Sequence, residues 1–227
     1  GFQAQRKFSL SVCLFAGVFA FLCVGPAQAT LLGFDNISAN NVGDAAIGEA
    51  QLSVNVTDAG GGQVLFLFSN SGPEASSITD VYFDDGSLLG IASIDNSDPG
   101  VAFTQLASPG NLPSANSASP PFVTTAGFSA DSDAPVQSNG VNPGETLGIL
   151  FDLQGGQLFA DVDAELVSGD LRIGIHVQGF DGGGSESFVN NPPDNGGPPG
   201  EIPEPATIVL LGCGLLGLAG FIRKKKS

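Results

Sequence analysis

The chain has 227 residues, with 7 Lys plus Arg, 23 Asp plus Glu and 1 His, a formal net charge of -16. Its basic residues cluster at the two ends, so the stretch from Thr30 to Gly200 holds only Arg172 against all but two of the acidic residues. So anionic a stretch excludes nucleic-acid binding by phosphate neutralisation. Cys13, Cys23 and Cys213 all lie in apolar end segments, which excludes disulfides and thiolate metal sites from the middle.

In chain order, residues 1–29 read as a secretory signal peptide. Arg6 and Lys7 form its positive start, Phe8 to Val24 its apolar stretch, and Pro26 breaks the helix. Ala27 and Ala29 supply the small residues that signal peptidase needs, so cleavage is expected before Thr30. A lipoprotein signal is excluded, because bulky Leu22 precedes Cys23 where a small residue is required.

Residues 30–190 are long enough for one domain with a real core. A polar, Gly/Asn-rich opening carries a short edge strand at Leu31 to Phe34. Gln51 to Thr57 alternates, with Leu52, Val54 and Val56 on one face, as a half-buried strand does. After the Asp58 to Gly62 turn, Gln63 to Ser69 is apolar on both faces, as a central strand is, so the two segments form a hairpin. Ile78 to Phe83 and Leu88 to Ile94 flank Asp84-Asp85-Gly86, which predicts a second hairpin. A further strand follows at Val101 to Leu106.

From Ala107 to Pro143 the composition turns to Ser, Pro, Asn and Asp, which reads as a surface excursion with one or two short strands. Thr146 to Leu153 alternates again. Over Gln157 to Val167 the apolar residues Phe159, Val162 and Leu166 recur at helical spacing, and Gly169 stands where a helix C-cap takes glycine, so a short helix is predicted. Leu171 to Phe180 returns to period two, with Arg172, His176 and Gln178 on its polar face, and a last short strand follows Asp181. Together these predict a mainly β fold, an antiparallel, jelly-roll-like β-sandwich with one short helix. Residues 191–201, rich in Pro and Gly, form a linker.

The tail, residues 202–227, has three parts in order: Pro203-Glu204-Pro205, an uncharged apolar run from Ala206 to Ile222, and Arg223-Lys224-Lys225-Lys226. The run meets the short limit of the roughly 17–25 residues that span a bilayer core, and predicts a transmembrane helix. Its glycines are tolerated in lipid. The basic cluster holds its end on the cytoplasmic side. The two prolines fix φ and remove amide donors, so the triplet stays extended and outside the helix.

This arrangement resembles the PEP-CTERM sorting signal, which is read by exosortase, a membrane transpeptidase of Gram-negative bacteria. The resemblance implies export through signal peptidase, transient residence in the inner membrane, and processing near the triplet in a cell that makes extracellular polysaccharide. Pro203, Glu204 and Pro205 would then be recognition residues on a substrate. The stretches VYFDDG, LRIGIHVQGF and GGSESFVN are also similar to the exported portion of many such proteins, which carries no established activity.

Candidate chemistry in the middle is sparse. His176 is the only histidine, and Gly183-Gly184-Ser185-Glu186-Ser187 lacks the final glycine of a nucleophile elbow, so no catalytic residue is assigned. Acidic loops are the sites that calcium takes, with roughly six to eight oxygen ligands. Of these, Asp84 and Asp85 in their tight turn are the first candidate ligands. With no Trp and only Tyr82, the chain lacks the aromatic platforms of sugar sites, and its phenylalanines are assigned to the core. The expected protein is a non-enzymatic surface or matrix component associated with exopolysaccharide, needing no cofactor. A carbohydrate-binding module or a glycoside or other hydrolase delivered by the same route is the alternative.

Overall fold

A computed structural model describes residues 28–85, 87–125 and 127–191. The expected linker, transmembrane helix 206–222 and basic tail lie outside these residues, as does nearly all of the signal peptide. Among the described residues no helix is long and apolar enough to cross a membrane.

The strands are β1 (Ala29–Leu32), β2 (Phe34–Asn36), β3 (Leu52–Gly60), β4 (Gln63–Asn70), β5 (Ser77–Asp84), β6 (Leu89–Asp95), β7 (Phe103–Gln105), β8 (Ser129–Ser132), β9 (Thr146–Leu153), β10 (Arg172–Gln178) and β11 (Ser185–Asn190). The helices are α1 (Val42–Gln51), the single turn α2 (Val136–Asn139) and α3 (Phe159–Ser168). The strands form a five-stranded sheet, β1-β3-β4-β9-β6, and a six-stranded sheet, β2-β11-β10-β5-β8-β7. Their strand pairings are antiparallel. The protein is mainly β with two antiparallel sheets, as the spacing of its strands predicts.

Alternation builds the core directly. Leu52, Val54 and Val56 of β3, Val64, Phe66 and Phe68 of β4, and Leu147, Ile149 and Phe151 of β9 face Phe83, Ile173, Ile175 and Val177 of the other sheet. Phe83 joins the two layers. Its ring centroid lies 4.7 Å from that of Phe151 and 5.1 Å from that of Phe66, both edge-on. Such pairs contribute roughly 0.5–1.5 kcal/mol each beyond burial. The β3–β4 hairpin forms as expected. The predicted helix is α3, with Gly169 at φ 79° closing it and Phe159, Val162 and Leu166 buried.

Four expectations change. The Asp84-Asp85-Gly86 corner joins no hairpin: β5 pairs with β10 and β8, whereas β6 pairs with β9 in the other sheet. Asp-Gly reports a sharp turn and says nothing of which strand comes to lie alongside. The expected edge strand at Leu31 to Phe34 is two strands, β1 and β2, split between the sheets at Gly33. The polar opening contains the unpredicted helix α1, whose two glycines weaken the helical signal. It is held by Asn41, whose side chain accepts from Gly43 N and Asp44 N at 2.8 and 3.3 Å.

The excursion after Ala107 does contain a short strand, β8, but part of it is a cap rather than a solvated loop. Ala107, Leu112, Ala115, Ala118 and Phe122 pack with Tyr82 and Val189 as a second, smaller core on the outer face of the six-stranded sheet. Ordinary alternation along β5 turns Tyr82 outward and Phe83 inward. The register slips between His176 and Val177, opposite Thr79, which places Ile78 and Val81 on the same inner side across one extra residue.

Candidate functional site

The outer face of the six-stranded sheet gathers the chain's scarce chemistry. In cross-strand register, Thr104 of β7 faces Asp131 of β8, which faces Asp80 of β5, which faces His176 of β10, which faces Ser187 of β11. Residues paired this way on one face of a sheet have side chains within reach of one another. His176 Nδ1 lies 3.2 Å from Ser187 Oγ. Asp80 Oδ2 accepts from Thr79 Oγ1 at 2.9 Å, and its Oδ1 lies 3.4 Å from the Tyr82 hydroxyl.

This row brings Asp80 of β5 together with His176 and Ser187 of the consecutive strands β10 and β11, far from it in the chain. Ser187 is only 1 % exposed and Asp80 only 4 %, so both side chains are enclosed by the fold. Burial lowers the His176 pKa, against the opposing charge of Glu186, so the ring stays neutral around physiological pH. Burial also lifts the Asp80 carboxyl, with the charge of Asp131 adding, up to about 7, against the bonds from Thr79 and Tyr82. The row can hold and share protons.

Two further polar groups are consumed by the fold. Glu186, 1 % exposed, gathers the loop before α1: it accepts from Asn36 Nδ2 at 2.9 Å, Asn40 N at 3.2 Å, Asn41 N at 2.5 Å, and Ser38 Oγ. Burial alone would raise its pKa, but these donors outweigh it and hold the carboxyl below its usual range. Arg172 lies over the Phe122 ring, 5.4 Å from its centroid. It donates to Pro120 O and Pro121 O at 2.6 and 2.7 Å and pairs with Asp84. The cation thereby pins the cap to the sheet where β10 begins and β5 ends.

The candidate calcium ligands are placed apart in role. Asp84 engages Arg172 and accepts from Val123 N at 3.1 Å. The buried Asp85 turns inward and accepts from Leu89 N at 3.1 Å, which holds the corner between sheets. Among the described residues no group of three or more His, Cys, Asp or Glu side chains is arranged to hold a metal ion. Sequence reasoning placed His176, Arg172 and Gln178 on one polar face. It missed the pairing with Asp80, Asp131 and Ser187, for which no local signal exists. Beside the cap, Asp35, Ile37, Pro120, Leu166, Arg172 and Val189 help line a cleft of about 530 Å³.

Of the expected signal-cleavage residues, Ala27 lies outside the described residues, while Ala29 and Thr30 open β1. Thr30 Oγ1 donates to Asp163 Oδ1 at 2.6 Å and ties β1 to α3. The residues of the sorting triplet, Pro203, Glu204 and Pro205, and the orienting cluster Arg223 to Lys226 lie outside the described residues. Their identity rests on sequence.

An anionic β-rich region followed by a sorting signal defines an exported, membrane-processed protein. The signal is the PEP-CTERM protein-sorting motif, matched by residues 201–224, and it marks the chain as a target of exosortase. No curated protein and no solved structure matches the chain.

Proposed function

We propose that the chain is a surface or extracellular-matrix protein of a Gram-negative bacterium. Its acidic β-domain serves a non-catalytic, structural or adhesive role in association with extracellular polysaccharide. The observation that carries the delivery route is the PEP-CTERM motif at residues 201–224. The non-catalytic role is supported by the fate of the polar groups: Glu186, Arg172, Asp84 and Ser187 are each held in internal contacts. Exposed acidic side chains give such a domain solubility and self-repulsion in a crowded matrix.

In this reading signal peptidase cuts before Thr30, which leaves the pairing of β1 with β3 in place from Thr30 to Leu32. The C-terminal helix then holds the protein in the inner membrane until exosortase acts near Pro203-Glu204-Pro205. Mass spectrometry of protein recovered from cells with active exosortase is expected to show the apolar tail removed. An intact C-terminus refutes the route. The role of the domain is tested separately, with a glycan array and a broad hydrolase screen on the exported protein. Polysaccharide retention without turnover is expected, and clear turnover refutes the non-catalytic reading. No cofactor enters the proposal; a melting temperature that rises on adding calcium would introduce one.

A further inference from the structure

Tyr82 stands between two acceptors. Its hydroxyl lies 3.0 Å from the carbonyl oxygen of Pro109, in the cap, and 3.4 Å from Asp80 Oδ1, on its own strand. A phenol has one proton to donate, so the two acceptors compete for it. The ring itself is fully buried between sheet and cap, which leaves rotation of the O–H bond as its available freedom.

The charge on Asp80 decides the competition. Asp80 faces Asp131 on β8 and His176 on β10, with Thr79 and Tyr82 on its own strand and the Pro109 carbonyl on the cap. Thr104 of β7 lies beyond Asp131, and Glu186 of β11 acts on His176. Arg172 is the only Lys or Arg among the described residues, and it is committed to Asp84. Two neighbouring carboxyls without a cation favour holding a proton between them. While Asp80 is neutral it is an ordinary acceptor, and the nearer Pro109 carbonyl takes the Tyr82 proton. Once ionised it is the stronger acceptor, since charge-assisted bonds are roughly twice as strong as neutral ones.

We propose that Tyr82 is a proton-controlled latch. It fastens the Pro109 end of the cap to the six-stranded sheet while the Asp80–Asp131 pair holds a proton, and lets it go when the pair ionises. The far end stays pinned by Arg172 through Pro120 and Pro121, so the cap loosens from one side. Burial and the Asp131 charge place the exchange near pH 7. Tyr82 remains a donor throughout, because burial and the two carboxylates push its own pKa well above the phenol range.

The chain offers its own probe, since it contains 1 Tyr and 0 Trp. Intrinsic emission of the full-length protein therefore reports on Tyr82 alone, and a carboxylate acceptor quenches tyrosine emission. Titrated from mildly acidic to mildly alkaline pH, the wild type is expected to lose emission with a midpoint near 7. Over the same range, peptides covering residues 107–122 are expected to gain hydrogen exchange after correction for intrinsic rate. Asp80→Asn should abolish both transitions, and Asp131→Asn should move the midpoint to lower pH. Far-UV circular dichroism recorded on every sample verifies that the sheets persist. A flat wild-type emission profile, a transition that survives in Asp80→Asn, or an unmoved midpoint in Asp131→Asn each overturns the latch.

Discussion

Replacing Gly48 with alanine tests whether α1 is seated as described. On a free helix the change would add stability, by about 1 kcal/mol. Here a Cβ at position 48 would stand 2.1, 2.5 and 2.9 Å from Cζ, Cε1 and Cε2 of Phe188. These separations are far inside van der Waals contact. The Phe188 ring is fully buried and belongs to the inter-sheet core, so it has nowhere to retreat. Either α1 lifts off β11 or the ring forces its neighbours aside. Overpacking of this kind costs typically 1–3 kcal/mol, which at its low end matches the gain in helix propensity and otherwise exceeds it. The expected net effect of Gly48→Ala is a destabilisation of up to about 2 kcal/mol, the difference between the two, seen as an earlier urea midpoint at unchanged slope. In thermal melts it corresponds to a fall of about 2–4 °C per kcal/mol. A variant that melts above the wild type would refute the close approach of α1 to Phe188.

Other perturbations follow from the buried charges. Asp80 titrates at about 7 in the fold against an ordinary 3.8, so the folded state binds its proton more tightly and stability falls as pH rises between these values. At about 1.36 kcal/mol per pH unit the penalty has an upper limit of about 4 kcal/mol. Asp80→Asn should therefore be more stable than the wild type above neutrality and nearly equal to it in mild acid, as denaturation at several pH values will show; a constant difference contradicts this. Glu186 has the opposite sign, since its folded pKa is depressed: its contribution is present at neutral pH and lost as pH falls through the carboxylate range. Glu186→Gln should lose about 1.5–3 kcal/mol at neutral pH, the worth of hydrogen bonds to a charged group, and the gap should narrow in acid. Arg172→Met should cost about 1–3 kcal/mol, through the lost bonds to Asp84 and to Pro120 and Pro121. Protease should then cut within 107–122 faster than in the wild type, and an unchanged cleavage rate would mean that Arg172 does not pin the cap.

What was legible in the sequence is what depends on near neighbours. Alternation in Gln51 to Thr57, Thr146 to Leu153 and Leu171 to Phe180 reports strands because one face of each is buried, and β3, β9 and β10 follow it, β10 ending at Gln178. The spacing of Phe159, Val162 and Leu166 with Gly169 reports α3 for the same reason at a different period. The tail is more local still, a contiguous signal read as a string, and residues 201–224 match it as such. Helix α1 escaped because its stability comes from the Asn41 cap and from seating a bare glycine on Phe188, and neither leaves a periodic trace.

By itself, then, the sequence determined an acidic, β-rich, exported chain with a sorting address. Only the tertiary structure decided that β5 and β6 belong to different sheets, that the Pro-rich excursion caps one of them, and that Asp131, Asp80, His176 and Ser187 share a row. The reason is physical. Strand identity is set by residues a few positions apart, whereas partner and register are set by which buried faces fit together across the core. A slip of one residue in β10 would turn His176 inward and dissolve the row, with no change in any local pattern.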